Sequence, residues 1–113
     1  MDLTHRIEDE IIIVSVTGKL DTTTSASFDT YLRQTSAEVK HCILAFDKLD
    51  YISSAGLRSV LMAAKLFGAK KGKLVLSGLS GAVKDVFSLS GFDRVVPLCE
   101  NQLDALALIQ KSA

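Results

Sequence analysis

The run Ile11-Ile12-Ile13-Val14-Ser15-Val16 constrains the fold of this chain more than any other segment. It is β-branched apart from one serine and has no polar side to turn toward water. It therefore predicts a central strand buried on both faces, which requires a sheet with covering helices. This central strand is expected over residues 11–17, and further strand signals fall at residues 3–7, 42–46, 74–77 and 95–98. Asp9-Glu10 fits a tight turn joining the first two strands as an antiparallel hairpin, and Pro97 marks the last strand as an edge or a short piece.

Helical periodicity fills the gaps between these strands. A first helix is expected over residues 24–39, with Phe28 and Leu32 inward and Thr22 or Thr23 as its cap. A second places Leu57, Val60, Leu61, Ala64 and Phe67 on one stripe, with Arg58, Ser59 and Lys65 on other faces and Met62 packing beside Phe67. Lys70-Lys71-Gly72 suits its C-terminus. A third starts at Ser80, buries Val83, Val86 and Phe87, and ends at Gly91. The fourth opens with a capping-box-like Asn101-x-x-Asp104 and buries Leu103, Leu106 and Ile109. The order ββαβαβαβα predicts one α/β domain over residues 1–113. Its sheet is mixed and mostly parallel, of about four or five strands, opened by the hairpin and covered by about four helices.

Composition removes several functional classes. Thirteen basic and thirteen acidic residues cancel, without a basic cluster for nucleic acid or an anionic membrane. The apolar runs fall short of the ~18 residues that span a bilayer. Met1-Asp2-Leu3-Thr4 lacks the basic and apolar regions of a secretory signal, so a cytoplasmic location is expected. Cys42 and Cys99 lie in apolar runs without CxxC spacing and read as reduced packing residues.

The chemistry concentrates in Leu49-Asp50-Tyr51-Ile52-Ser53-Ser54-Ala55-Gly56-Leu57-Arg58. Two adjacent hydroxyls stand where a buried strand hands over to a helix, beside outward-pointing backbone N–H groups. A hydroxyl there serves as a helix cap, a nucleophile or a phosphorylation site. The nucleophile reading lacks support: the chain has no Gly-x-Ser-x-Gly elbow and no Walker or Gly-x-Gly-x-x-Gly loop. His5 and His41 have no metal-ligand spacing, and Asp47 and Asp50 read as solvated turn residues. A non-catalytic protein without cofactor or metal is expected.

Element order and two local patterns resemble those of the STAS domain of bacterial anti-sigma factor antagonists. Gly18-Lys19-Leu20-Asp21 resembles the family's Gly-x-Leu-Asp turn after the second strand. Ile52-Ser53-Ser54-Ala55-Gly56-Leu57 resembles its signature of a hydrophobic residue followed by Asp-Ser-Ser/Thr-Gly-Leu. Ser53 stands where the family carries the aspartate, and Ala55 where it carries a second hydroxyl. The resemblance implies a regulatory protein that binds an anti-sigma factor, itself a serine/threonine kinase, when unphosphorylated. It further implies phosphorylation at Ser54, with Ser53 the lesser candidate, and reversal by a serine phosphatase. The implied partner surface comprises Asp21, Thr22, Thr23, Ile52, Ser53, Ser54, Ala55, Gly56, Leu57 and Arg58, on a chain monomeric when free. The other implied role is a constitutive STAS scaffold subunit, of a lipid-transport or another signalling complex, in which Ser54 only caps a helix.

Overall fold

The computed structural model describes residues 1–112. The elements are β1 (Asp2–Glu8), β2 (Ile11–Leu20), α1 (Ser25–Thr35), β3 (His41–Ile52), α2 (Ser54–Ala69), β4 (Leu74–Ser77), α3 (Gly81–Leu89), β5 (Leu98–Cys99) and α4 (Gln102–Ser112). A 3-10 turn at Phe92–Arg94 precedes β5. The five strands lie in the order β1-β2-β3-β4-β5, with β1 antiparallel to β2 and all other pairs parallel. The expected order and topology are those observed.

Alternation along β2 explains the unbroken apolar run. Ile12, Val14 and Val16 face a core shared with Phe28 and Leu32 of α1, Val60, Ala63 and Phe67 of α2, and Val83 and Phe87 of α3. Ile11 and Ile13 face the other way, onto Ile43, Val75 and the α4 residues Ala105 and Ile109. Each side of the strand meets a helix, so neither can be polar. Cys42 and Cys99 are free thiols, the first buried and the second half-buried, and burial pushes both pKa values up.

Several boundaries differ from the sequence reading. Helix α1 stops at Thr35 instead of 39: Ser36 is its C-cap, with N–H and hydroxyl both on the Leu32 carbonyl, and the chain then leaves the helix in a turn where the Val39 N–H donates to the Ser36 carbonyl. Lys70 Nζ then donates to the carbonyls of Ser36 and Val39, so its charge serves the end of α1 as well as that of α2. The left-handed residue after α2 is Lys71 (φ 62°), while Gly72 is needed for space: a Cβ there would lie 1.6 Å from the Lys40 carbonyl oxygen. Ser59 is buried and Met62 is 48% exposed, the reverse of their expected faces. Strand β5 begins at Leu98 because the 3-10 turn consumes residues 92–94, and Val95 is exposed. On α4, Asn101 Oδ1 caps the helix by accepting from the Asp104 N–H (2.8 Å), but Leu103 points outward and Ala105 takes the inward position.

Strand β3 runs six residues beyond the expected end at 46. It gains an extra residue against β2 twice, between the pairs Ser15–Ala45 and Thr17–Lys48, and again between Gly18–Leu49 and Lys19–Tyr51. Bulges break the period-two pattern and put Asp47, Lys48, Asp50 and Tyr51 outside while Leu49 and Ile52 stay inside. Asp47 and Asp50 are therefore exposed strand residues, where the sequence suggested turn residues.

His41, 5% exposed at the start of β3, accepts the Lys73 N–H at Nδ1 (3.0 Å). Burial pushes its pKa down, reinforced by Lys40 and Lys73 and opposed by Glu10. The folded chain thus refuses a proton that the unfolded chain takes up near pH 6.5. Stability is fully present above that value and falls as the pH drops through it toward the lower folded pKa. Urea unfolding at pH 7.5 and 5.0 is expected to show this decline, reduced in His41→Asn. Parallel declines in the two proteins would contradict it.

Candidate functional site

Parallel pairing of β2 and β3 persists to Leu20–Ile52, so the two chains leave the sheet side by side at its C-terminal edge. Open α/β sheets place functional loops at this edge. One chain turns into α1 through residues 21–24 and the other turns into α2 at Ser53. The Ser53 N–H still donates to the Leu20 carbonyl (3.0 Å), tying the second turn to the first.

The Asp21 carboxylate builds the first turn. Its Oδ1 accepts from the Thr23 N–H (3.0 Å), the Thr23 hydroxyl (2.8 Å) and the Thr24 N–H (3.2 Å). Those bonds, that of the Thr23 hydroxyl foremost, hold its pKa below the ordinary carboxylate value, so it stays anionic. Thr24 Oγ1 accepts from the Asp21 N–H (2.9 Å) and donates to the Lys19 carbonyl (3.0 Å). The expected capping by Thr22 or Thr23 is corrected: the N-cap of α1 is Thr24, whose side chain makes no cap bond to the helix, and both expected threonines lie exposed in the turn that Asp21 orders.

At α2 the two hydroxyls divide. Ser53 is the N-cap, extended at φ −98° and ψ 177°, and its side chain accepts from the Gly56 N–H (3.3 Å). Ser54 is the first helical residue and is exposed. Gly56 permits the geometry: a Cβ there would lie 2.4 Å from the Leu20 carbonyl oxygen and 2.7 Å from Ile52 Cγ1. Gly56 and Ile52 are buried beneath this surface. Leu57 is half-buried against the core, Ala55 is half-buried at the helix start, and Arg58 is exposed one turn beyond Ser54.

This edge gathers the negative Asp21, a free serine hydroxyl and the N-terminus of a sixteen-residue helix whose first turn has no acidic residue. Neither histidine is placed to deprotonate Ser54: His5 pairs with Tyr31, and His41 occupies the opposite end of β3. Among the described residues no group of three or more His, Cys, Asp or Glu side chains could hold a metal ion. No helix among them is long and apolar enough to cross a membrane.

A domain with this sheet, this helix arrangement and this loop edge is a STAS domain. The STAS domain family profile matches residues 2–105, and the chain belongs to that family. The "Putative anti-sigma factor antagonist BtrV" of Bordetella bronchiseptica is 35% identical over 114 residues, covering 100% of this chain and 97% of the relative. By homology the chain thus stands with the anti-sigma factor antagonists. Two solved structures share the fold. The anti-sigma factor antagonist SpoIIAA in its unphosphorylated form has a TM-score of 0.83 at 19% identity, covering 97% of each chain. The Bacillus cell fate determinant SpoIIAA in its phosphorylated form has a TM-score of 0.74 at 19% identity, covering 96% of this chain and 99% of that one.

Two stability outcomes follow from the packing of this edge. Gly56→Ala is expected to cost about 1–3 kcal/mol, since a backbone carbonyl cannot yield like a side chain. Ser53→Ala is expected to cost about 1 kcal/mol by removing the cap, and Ser53→Asp to restore it. Urea denaturation measures both, and an unchanged midpoint in Gly56→Ala would contradict the close approach to Leu20.

Proposed function

We propose that this chain is a non-catalytic switch that binds an anti-sigma factor through the edge formed by residues 21–23 and the start of α2. Phosphorylation of Ser54 turns the switch off. The observation that carries this reading is the division of labour between the hydroxyls: Ser53 is engaged as cap, leaving Ser54 exposed as the first residue of α2. The partner is an anti-sigma factor with serine/threonine kinase activity, a serine phosphatase resets the site, and the cycle runs in the cytoplasm on a monomer.

Electrostatics support this reading. A phosphoserine brings roughly −1.5 to −2 charges and three acceptor oxygens. At a helix N-terminus these meet free N–H groups and the positive end of the dipole, so the domain tolerates them. A partner that covers the same surface must bury that charge, at a cost of several kcal/mol unless it supplies a counter-charge. About 1.4 kcal/mol already weakens binding tenfold. The SpoIIAA fold, which this chain shares, occurs in both phosphorylated and unphosphorylated forms.

Incubation with ATP and the anti-sigma factor kinase of the same organism is expected to add one phosphate by intact mass, absent in Ser54→Ala. Calorimetry is expected to show binding by the unmodified chain and its loss on phosphorylation. No added phosphate, together with binding indifferent to Ser54→Asp, would replace the switch with a constitutive scaffold.

A further inference from the structure

Helices α1 and α2 enclose an open groove of about 280 Å³ on the outer surface of the helical layer. Its floor is apolar, formed by Leu32, Ala63, Leu66 and the half-exposed Met62. Ser59, 3% exposed, also lines it, and no buried side-chain polar atom among the described residues lacks a partner. The rim carries Arg33 and Lys65 against the single acid Asp29, and none of the three is in an ion pair among the described residues.

An exposed stripe of α2 leads from Ser54 to the groove. Residues 54, 58, 62 and 65 follow helical spacing along one stripe of α2, and all four are exposed. Ser54 and Arg58 occupy the end near the sheet edge, and Met62 and Lys65 open into the groove. Its volume lies just below the ~300 Å³ at which small-molecule pockets begin, which suits one or two side chains of a protein segment better than a cofactor. Met and Arg are over-represented at the centres of protein interfaces.

We propose that this groove receives an acidic, amphipathic segment of the anti-sigma factor, an inference that rests on the functional reading above. An apolar side chain of that segment packs on Met62, Leu32 and Ala63. A carboxylate of the same segment lies between Arg33 and Lys65. Partner specificity then comes from the groove, and switching comes from Ser54 at the head of the same stripe. A phosphate there adds negative charge along the line on which the partner's carboxylates approach, so it repels the segment the groove attracts.

Calorimetric titration of the full chain with the anti-sigma factor, beside circular dichroism of each variant, tests this. Met62→Glu, and separately the pair Arg33→Glu and Lys65→Glu, are expected to weaken binding by about tenfold or more with the fold retained. Asp29→Asn is expected to tighten it, an effect that loss of packing would not produce. The chain has two methionines, Met1 and Met62, so a methyl spectrum of labelled protein is expected to show the Met62 signal shift on complex formation. Binding within twofold of wild type by both groove variants, while Ser54→Asp abolishes it, would overturn the groove and leave the switch standing. A wild-type chain that binds no anti-sigma factor would overturn both.

Discussion

Everything at the functional edge depends on how closely Gly56 approaches the Leu20 carbonyl. That carbonyl ends β2 and accepts the N–H of Ser53, and the absent side chain of Gly56 lets the first turn of α2 lie against it. Parallel pairing carried to Leu20–Ile52 is what brings the two loops there. The bulges of β3 make that pairing possible in a strand that must hide Leu49 and Ile52 while exposing Asp50 and Tyr51. Local backbone geometry, core packing and the position of one serine hydroxyl are thus a single problem with one solution.

The electrostatic character of the edge follows from what α2 lacks. Its first turn has no acidic residue, and its cap is the neutral Ser53. An aspartate at the cap would compensate the helix dipole before any modification occurred. Here the dipole and the early N–H groups remain available to a charge placed on Ser54. Asp21 is anionic already, but its carboxylate is engaged by Thr23 and Thr24 and spent on holding its own turn. With equal numbers of basic and acidic residues overall, the response to phosphate is set locally and owes little to a long-range field.

Much of the architecture was legible in the sequence. The unbroken run at residues 11–16 announced burial on both faces, and the spacing of Val60 and Phe67 placed α2 correctly. Errors arose where periodicity was interrupted or imitated. Bulges hid the last six residues of β3 because Asp47, Lys48, Asp50 and Tyr51 look like loop. Buried Val39 imitated a further turn of α1, though Ser36 had already ended the helix. Leu103 resembled a core residue, but Ala105 and Ile109 set the rotation of α4. At the site, the sequence pointed to both serines and to Asp21, while the choice of Ser53 as cap needed coordinates. Ser59 and Met62 were assigned the wrong faces because a helical stripe read alone does not show where a second helix parts from it.

The claim at the centre is that the mouth of α2 accepts a dianion without disturbing the domain. Introducing phosphoserine at position 54 by genetic encoding and recording amide chemical shifts and urea stability tests it without any kinase. The expected result is shift changes confined to the beginning of α2 and the neighbouring turn after β2, with stability equal to or above that of the unmodified chain. Shift changes spread through the sheet, or a marked drop in the urea midpoint, would contradict it.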